Sequence, residues 1–288
     1  MEQQVIELFE QLRKDLRIDP CPMDTDRLLS VAKELEDYYG KPFSEVAAGP
    51  IQQLCTEDEE IHKTLEVSPT ESQVTGYYST TSRYVFGNLY LEGASFRTQA
   101  RHFLIQASRK FRVKRALDFG GGSGDLCVAL RKAGLECDYL DVPGPTLDFA
   151  KWRFQSKGLD VRTYTNEETL PAGHYDAVYA TDVFEHLWDL GGAIAKIAAA
   201  IKEGGVLISY STFTHEGAHL EKNLQYADVP IFNRMLAGHG LRFLGQLKES
   251  RWSRLGSRLG LWNQPKSLRL SFREKHGGNY LVHRKTTN

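Results

Sequence analysis

Ala116-Leu-Asp-Phe-Gly-Gly-Gly-Ser-Gly-Asp-Leu126 decides the fold. Val113 to Phe119 suits a buried strand, the glycines that follow end it, and Asp125 to Lys132 carries a helical pattern. Glycine has no Cβ, so a ligand can lie against the backbone of such a turn while the next helix presents free N–H groups to it. Strand, tight turn and helix in that order predict a cofactor site. The spacing is G-x-G-x-G through Gly120, Gly122 and Gly124; the dinucleotide fingerprint G-x-G-x-x-G would need glycine at position 125, where Asp125 stands.

Downstream the pattern alternates. Strands are expected at Glu136 to Val142, Val161 to Tyr164, Ala177 to Thr181 and Val206 to Tyr210. Between them Leu147 to Lys157 and the Ala-rich stretch Ala193 to Ile201 read as helices. This is the β-α repeat of an open, doubly wound α/β domain with a parallel sheet, over roughly residues 112–248. A further helix near Val229 to Gly238 leads to a strand at Leu241 to Leu247, and a last strand is expected at Tyr280 to Arg284.

Upstream the chain reads as helical. Val5, Leu8, Phe9, Leu12 and Leu16 recur at helical spacing, as do Leu28, Leu29, Ala32, Leu35 and Tyr39 behind the capping residues Asp24, Thr25 and Asp26. A third helix is expected through Ile51, Leu54, Ile61 and Leu65 before Ser68-Pro69 stops it. Tyr77, Tyr78, Tyr84, Phe86 and Tyr90 form an aromatic connector, read mainly as core filler, and Ser95 to Phe111 is another helix. The expected division is therefore a helical cap and connector over 1–94 and a ligand-binding domain over 95–288.

In this order the motifs resemble the class I S-adenosylmethionine-dependent methyltransferases. The resemblance covers about residues 112–248 and rests on four features: the Asp118 to Gly124 turn, Asp141 closing the second strand, Tyr175-Asp-Ala-Val-Tyr-Ala-Thr-Asp-Val-Phe-Glu-His-Leu187 across the fourth, and Lys202-Glu-Gly-Gly-Val-Leu-Ile208 entering the fifth. It implies a Rossmann-like, seven-stranded methyltransferase sheet with its last strand antiparallel, S-adenosyl-L-methionine as cofactor, and methyl transfer to an O, N or C nucleophile of a small metabolite. It also implies site residues. Asp118, Gly120, Gly122 and Gly124 would border the methionine and ribose; Asp141, followed by Val142, would accept from the ribose hydroxyls; Thr165 and Asn166 would lie near the adenine; Asp182 and Val183 would face the methyl-donor side. The Asp141 assignment has its own chemistry, since an ionised carboxylate only accepts and vicinal hydroxyls offer two donors.

Transfer to a hydroxyl also needs a base. Glu185 and His186, just past the fourth strand, are candidates, with organisation of the loop as the alternative, and His215 after the fifth strand is another. His215 to His219 literally spells H-E-x-x-H, but Gly217 and the preceding strand do not suit the continuous helix of a zinc protease, and no metal ligand set is assigned; His215 or His219 with an oxygen ligand would be the way to hold an acceptor-orienting metal.

Composition narrows the class. The 288 residues are 41% hydrophobic and 25% charged, with 36 Lys and Arg against 37 Asp and Glu, so no field of one sign draws the molecule to nucleic acid or an anionic membrane. Neither a membrane-length apolar run nor a signal-peptide pattern is present, and four scattered cysteines form no disulfide or zinc framework, so a cytoplasmic protein with reduced thiols is expected. Charge does segregate: from residue 246 to the last, ten Lys and Arg face only Glu249 and Glu274. Here lies a basic insert at about 249–278, with Arg251, Arg254, Arg258, Trp252 and Trp262, interrupted by Gly256 and Gly260. Such a composition suits an anionic small molecule, and the net acidic remainder argues against RNA. Salt-sensitive RNA binding would instead favour an RNA or protein methyltransferase, and a binding protein without turnover is a rival from outside the enzymes. A homodimer is left open.

Overall fold

The computed structural model describes residues 2–15, 23–48, 69–85, 95–215, 219–249, 268–271 and 280–286. The third expected helix, the Phe86 and Tyr90 end of the connector, and Arg251, Trp252, Arg254, Arg258 and Trp262 of the basic insert lie outside these. The chain divides into two compact units. One comprises Met1–His102, Gly122–Asp125 and Val142–Asp160, the other Phe103–Gly121, Leu126–Asp141 and Val161–Asn288.

The second unit holds the sheet. Its strands are β1 (Arg115–Phe119), β2 (Glu136–Leu140), β3 (Thr163–Tyr164), β4 (Tyr175–Thr181), β5 (Ile201–Tyr210), β6 (Leu241–Glu249), β7 (Leu268–Ser271) and β8 (Tyr280–Lys285), in the spatial order β3-β2-β1-β4-β5-β8-β6-β7. β1 to β5 pair in parallel, whereas β8 runs antiparallel to both β5 and β6. The seven-stranded pattern with an antiparallel last strand is thus present, and β7, which falls inside the basic insert, adds a short eighth strand antiparallel to the edge of β6. β5 begins at Ile201, five residues before its expected start, because Gly204 and Gly205 are carried within the strand beside an irregularity in its pairing with β4.

β1, β4 and β5 are nearly continuous buried runs, as strands covered on both faces must be. Leu117, Val178 and Leu207 are fully buried in one cluster with Ile194 and Ile197 of α8 (Leu190–Ala200) and Phe232 and Leu236 of α9 (Val229–Gly238). Asp189 and Asp228 cap these two helices by accepting from Gly192 N–H and Ile231 N–H.

The first unit is helical: α1 (Glu2–Asp15), α2 (Thr25–Tyr39), α3 (Phe43–Ala48), α4 (Glu71–Thr80) and α7 (Pro145–Ser156), with α5 (Ser95–Lys110) and α6 (Asp125–Lys132) divided between the units. Asp24 caps α2 through Arg27 N–H, as its residue type predicts. α4 replaces part of the expected connector: Thr70 and Gln73 form a reciprocal capping box that starts a helix lacking a strong apolar stripe. Val5, Phe9, Leu28, Leu35, Phe43 and Phe149 share one buried cluster.

Beside Phe149 of this cluster stands a buried charge. Arg153 of α7 is 1% exposed, and its guanidinium donates to Glu34 (2.6 Å), to Asp125 (2.7 Å) and to the Ser123 carbonyl (2.7 Å). Arg27 also pairs with Asp125, and Lys157 with Glu34. Burial alone would raise the Asp125 pKa, but Arg153 and Arg27 outweigh it and hold the carboxyl far below the usual range. Among the described residues, no helix is long and apolar enough to cross a membrane.

Candidate functional site

Strand order reverses at β1, which has β2 on one side and β4 on the other, and in an open α/β sheet the crevice beyond the carboxyl ends of such strands takes the ligand. Asp118, Gly120, Asp141, Asp182 and Val183 all sit at these ends.

The glycine turn is held by backbone bonds. Gly120 and Gly121 N–H both donate to the Leu140 carbonyl, at 2.8 and 3.2 Å, drawing the turn onto the end of β2. A Cβ at Gly121 would stand 2.7 Å from the Tyr139 ring and 2.8 Å from the Asp118 carboxylate, so only glycine lets the chain pass. Gly122 differs: its φ is +55°, in the left-handed region that favours glycine, and a Cβ there would meet none of the described residues within 4 Å. In the helical unit, Gly124 lies against Phe154 and Ala150.

The carboxylates are placed differently. Asp118 is 2% exposed and accepts from Cys127 N–H at 3.1 Å, so its charge holds the first turn of α6. Asp141 is half-buried and accepts from the Tyr139 hydroxyl at 3.3 Å. Burial and the Asp141 charge push the Tyr139 pKa well up, so the phenol stays protonated and keeps donating to the carboxylate. The next residue, Val142, is 37% exposed. Asp182 is half-buried with a φ of +52°, a left-handed conformation that costs a non-glycine residue energy, and its N–H donates to the Tyr210 carbonyl at 2.7 Å. Thr165 and Asn166 are exposed, and the Asn166 side chain caps the short turn at Glu167–Thr169.

The group that the resemblance implies, S-adenosylmethionine, is compatible with these donors and acceptors. The tight glycine turn at Gly120 and Gly121 and the oriented carboxylate at Asp141 suit a ligand with a polar chain and a vicinal diol.

Past β4, the chain turns through Phe184–His186. Glu185 is fully buried; one carboxylate oxygen accepts from Thr212 N–H at 2.9 Å, and the other, Oε2, has no hydrogen-bond partner among the described residues. His186 and His219 are half-buried, with ring centroids 4.9 Å apart. Two ties hold the loops in place: Leu220 N–H donates to the Glu185 carbonyl at 3.0 Å, and buried Asn223 donates to the Leu187 carbonyl at 2.9 Å. The partner brought to Glu185 and His186 is thus His219, while His215 is exposed. Residues 211–215 and 219–220 are irregular, and residues 216–218, between the two histidines of H-E-x-x-H, lie outside the described residues.

A family model for a methyltransferase domain matches residues 93–246. Among curated proteins, the chain is 32% identical over 96 residues to a ubiquinone biosynthesis O-methyltransferase of Bradyrhizobium sp. (strain ORS 278), covering 33% of this chain and 38% of that protein. It is 27% identical over 150 residues to the protein of the same name from Mesorhizobium japonicum, covering 51% and 52%. The matches thus span between about a third and a half of these relatives' length. Among solved structures, the YcgJ protein of Bacillus subtilis aligns with a TM-score of 0.47 and 16% identity over 66% of this chain and 100% of that one. An S-adenosylmethionine-dependent methyltransferase from Clostridium acetobutylicum aligns at 0.46 and 14%, over 65% and 91%.

Proposed function

The chain belongs to the methyltransferase domain family, the class I fold that uses S-adenosylmethionine, and on that premise we propose that it moves a methyl group from this cofactor to a hydroxyl of a small molecule. The observation that carries the proposal is the glycine turn, bonded through Gly120 and Gly121 N–H to the end of β2, beside the oriented Asp141 carboxylate at the reversal of strand order. The cofactor supplies a methyl group on a positively charged sulfur, open to in-line attack.

The chain's own residues bind and align. Asp141, steadied by Tyr139, accepts from the ribose hydroxyls, and Val142 meets the adenine, with Thr165 and Asn166 at its rim. Gly120, Gly122 and Gly124 let the backbone approach the methionine and ribose portion. Asp118 fixes the turn and leaves a negative charge beneath it that favours an ammonium group. Asp182 and Val183 border the methyl-donor side. An attacking hydroxyl must lose its proton, and we assign that task to the basic cluster beyond β4, Glu185 and His186 together with His219. His215, exposed on the following loop, borders the acceptor's path.

Oxygen as the acceptor atom is supported by the O-methyltransferase relatives, and a small molecule rather than RNA or protein by the same likeness. The cytoplasm suits the buried thiols of Cys127 and Cys137.

Calorimetric titration with S-adenosylhomocysteine tests the proposal. Asp141→Ala removes two charge-assisted hydrogen bonds, each worth about 1.5–3 kcal/mol, so affinity should fall at least ~100-fold. Near wild-type affinity in the variant, or binding of NAD in place of S-adenosylhomocysteine, would overturn it.

A further inference from the structure

The Glu185 carboxylate presents an unusual electrostatic situation. It is fully buried, yet Oε2 meets no donor among the described residues, and a buried acceptor left in that state is costly. Its partner oxygen is fixed by Thr212, through the backbone N–H at 2.9 Å and the hydroxyl at 3.3 Å, so the carboxylate cannot turn away to relieve the deficit. Beside it are two imidazoles. A Glu185 oxygen, a ring nitrogen of His186 and a ring nitrogen of His219 all lie within 4.8 Å of one another.

We propose that Glu185, His186 and His219 form a three-ligand site for a divalent transition-metal ion, zinc first, with a coordination position left open for the acceptor's oxygen. Two nitrogens and one carboxylate oxygen are the donor set that borderline ions prefer, whereas magnesium and calcium favour oxygen throughout. Three protein ligands with an open fourth position mark a site built for ligand exchange rather than for structure.

The surroundings of His219 support the assignment independently. Its Nδ1 lies 3.1 Å from the Thr214 carbonyl, which can only accept, so Nδ1 carries the proton and Nε2 carries the lone pair. Metal-bound histidines are held in this way, with the outer nitrogen donating to a backbone carbonyl. The Thr214 hydroxyl adds a second contact at 3.2 Å. The loop bearing His219 is in turn tied to the Glu185 backbone through Leu220. Ligands at about 2.0–2.1 Å from a tetrahedral ion are separated by about 3.4 Å, so the widest pair must close by at most about 1.4 Å, within the swing of an imidazole about χ1 and χ2.

This inference rests on the methyl-transfer proposal only for what occupies the open position. There a coordinated hydroxyl would be held in place and acidified by the ion's charge, so that its O–H proton passes to solvent water and the oxygen is left as the nucleophile, the cluster acting through the ion and not as the proton's acceptor. Ion binding itself stands or falls separately.

The test uses the full chain, stripped with a chelator and titrated calorimetrically with Zn²⁺, and in parallel with Co²⁺, whose visible absorption reports a low-coordinate site with nitrogen ligands. One equivalent should bind. His219→Ala, in a half-buried loop side chain, and Glu185→Gln, which keeps the shape, should each weaken binding by more than ~100-fold, beyond the 10–100-fold lost with an outer-shell partner, and abolish the cobalt band. His239→Ala, remote in sequence at the end of α9, should leave the titration unaltered. Circular dichroism and thermal melts establish that the variants fold, and His219→Ala suffices should Glu185→Gln not. Failure to bind either ion stoichiometrically at sub-millimolar concentration would overturn the site, as would binding that His219→Ala leaves intact. S-adenosylhomocysteine titrated into the same samples separates the two proposals: ion binding without it sinks the methyl-transfer proposal alone, and its binding without an ion sinks the metal site alone.

Discussion

Replacing Arg153 with methionine removes a cation but leaves its anions in place. The guanidinium makes three short bonds, at 2.6 Å to Glu34, 2.7 Å to Asp125 and 2.7 Å to the Ser123 carbonyl, while only 1% exposed. Methionine fills similar volume, so the cost is electrostatic: Glu34 keeps only Lys157 and a long 3.9 Å contact to Arg27, and Asp125 keeps Arg27. Breaking a buried ion pair from one side costs about 3–5 kcal/mol. At roughly 2 cal/mol/K of unfolding entropy per residue, that lowers the melting temperature of a chain this size by about 5–8 °C. Calorimetric or dichroism melts measure it. The double variant Arg153→Met, Glu34→Gln should recover part of the loss, because one of the two stranded carboxylates is gone. The pH dependence carries a further sign. Asp125 has a depressed folded-state pKa, so its stabilisation is present above the ordinary carboxylate range and lost as pH falls below about 4. In Arg153→Met that acid slope should flatten. A single variant that melts within about 1 °C of wild type, or a double variant less stable than the single, would show that the network is not what holds these helices together.

Two other outcomes follow from the sheet unit. Gly121→Ala drives a methyl group to 2.7 Å from the Tyr139 ring and 2.8 Å from the Asp118 carboxylate, so we expect an overpacking loss of about 1–3 kcal/mol in denaturant melts and weaker binding of S-adenosylhomocysteine; an unperturbed variant would mean the turn has slack. His283 is fully buried, its Nε2–H donates to the Asn233 side-chain oxygen at 2.8 Å, and burial pushes its pKa down to about 3. Unfolding lets it take a proton at about pH 6.5, so stability should fall by on the order of 1 kcal/mol per pH unit from there toward pH 3, and His283→Gln should remove that share of the slope; identical slopes in melts of the two proteins would refute it.

Local chemistry was legible in the chain. The run from Ala116 to Leu126 folds as strand, turn and helix because glycine and buried-strand residues leave few other choices, and Asp141 closes β2 as its position suggested. α4 was hidden because aromatic and polar residues share it without a clear stripe; the Thr70-x-x-Gln73 capping box was the available signal. β5 begins early because Gly204 and Gly205, which usually break a strand, are absorbed within it. Long-range placement could not be read. Arginine normally faces solvent, so nothing local marks Arg153 as a core residue. Likewise His219 meets Glu185 only after the loop beyond β5 returns to the end of β4, a closure that spacing along the sequence does not encode.

The discontinuous make-up of the helical unit sets an order in time. Val5, Phe9, Leu28, Leu35 and Phe43 bury themselves in a cluster that includes Phe149, which a ribosome adds about a hundred residues later. At roughly 5–20 residues per second, the nascent helices wait on the order of 5–20 s with that apolar face incomplete. During synthesis these helices therefore complete their core only when α7 arrives, and until then their apolar face is a surface on which nascent chains can associate.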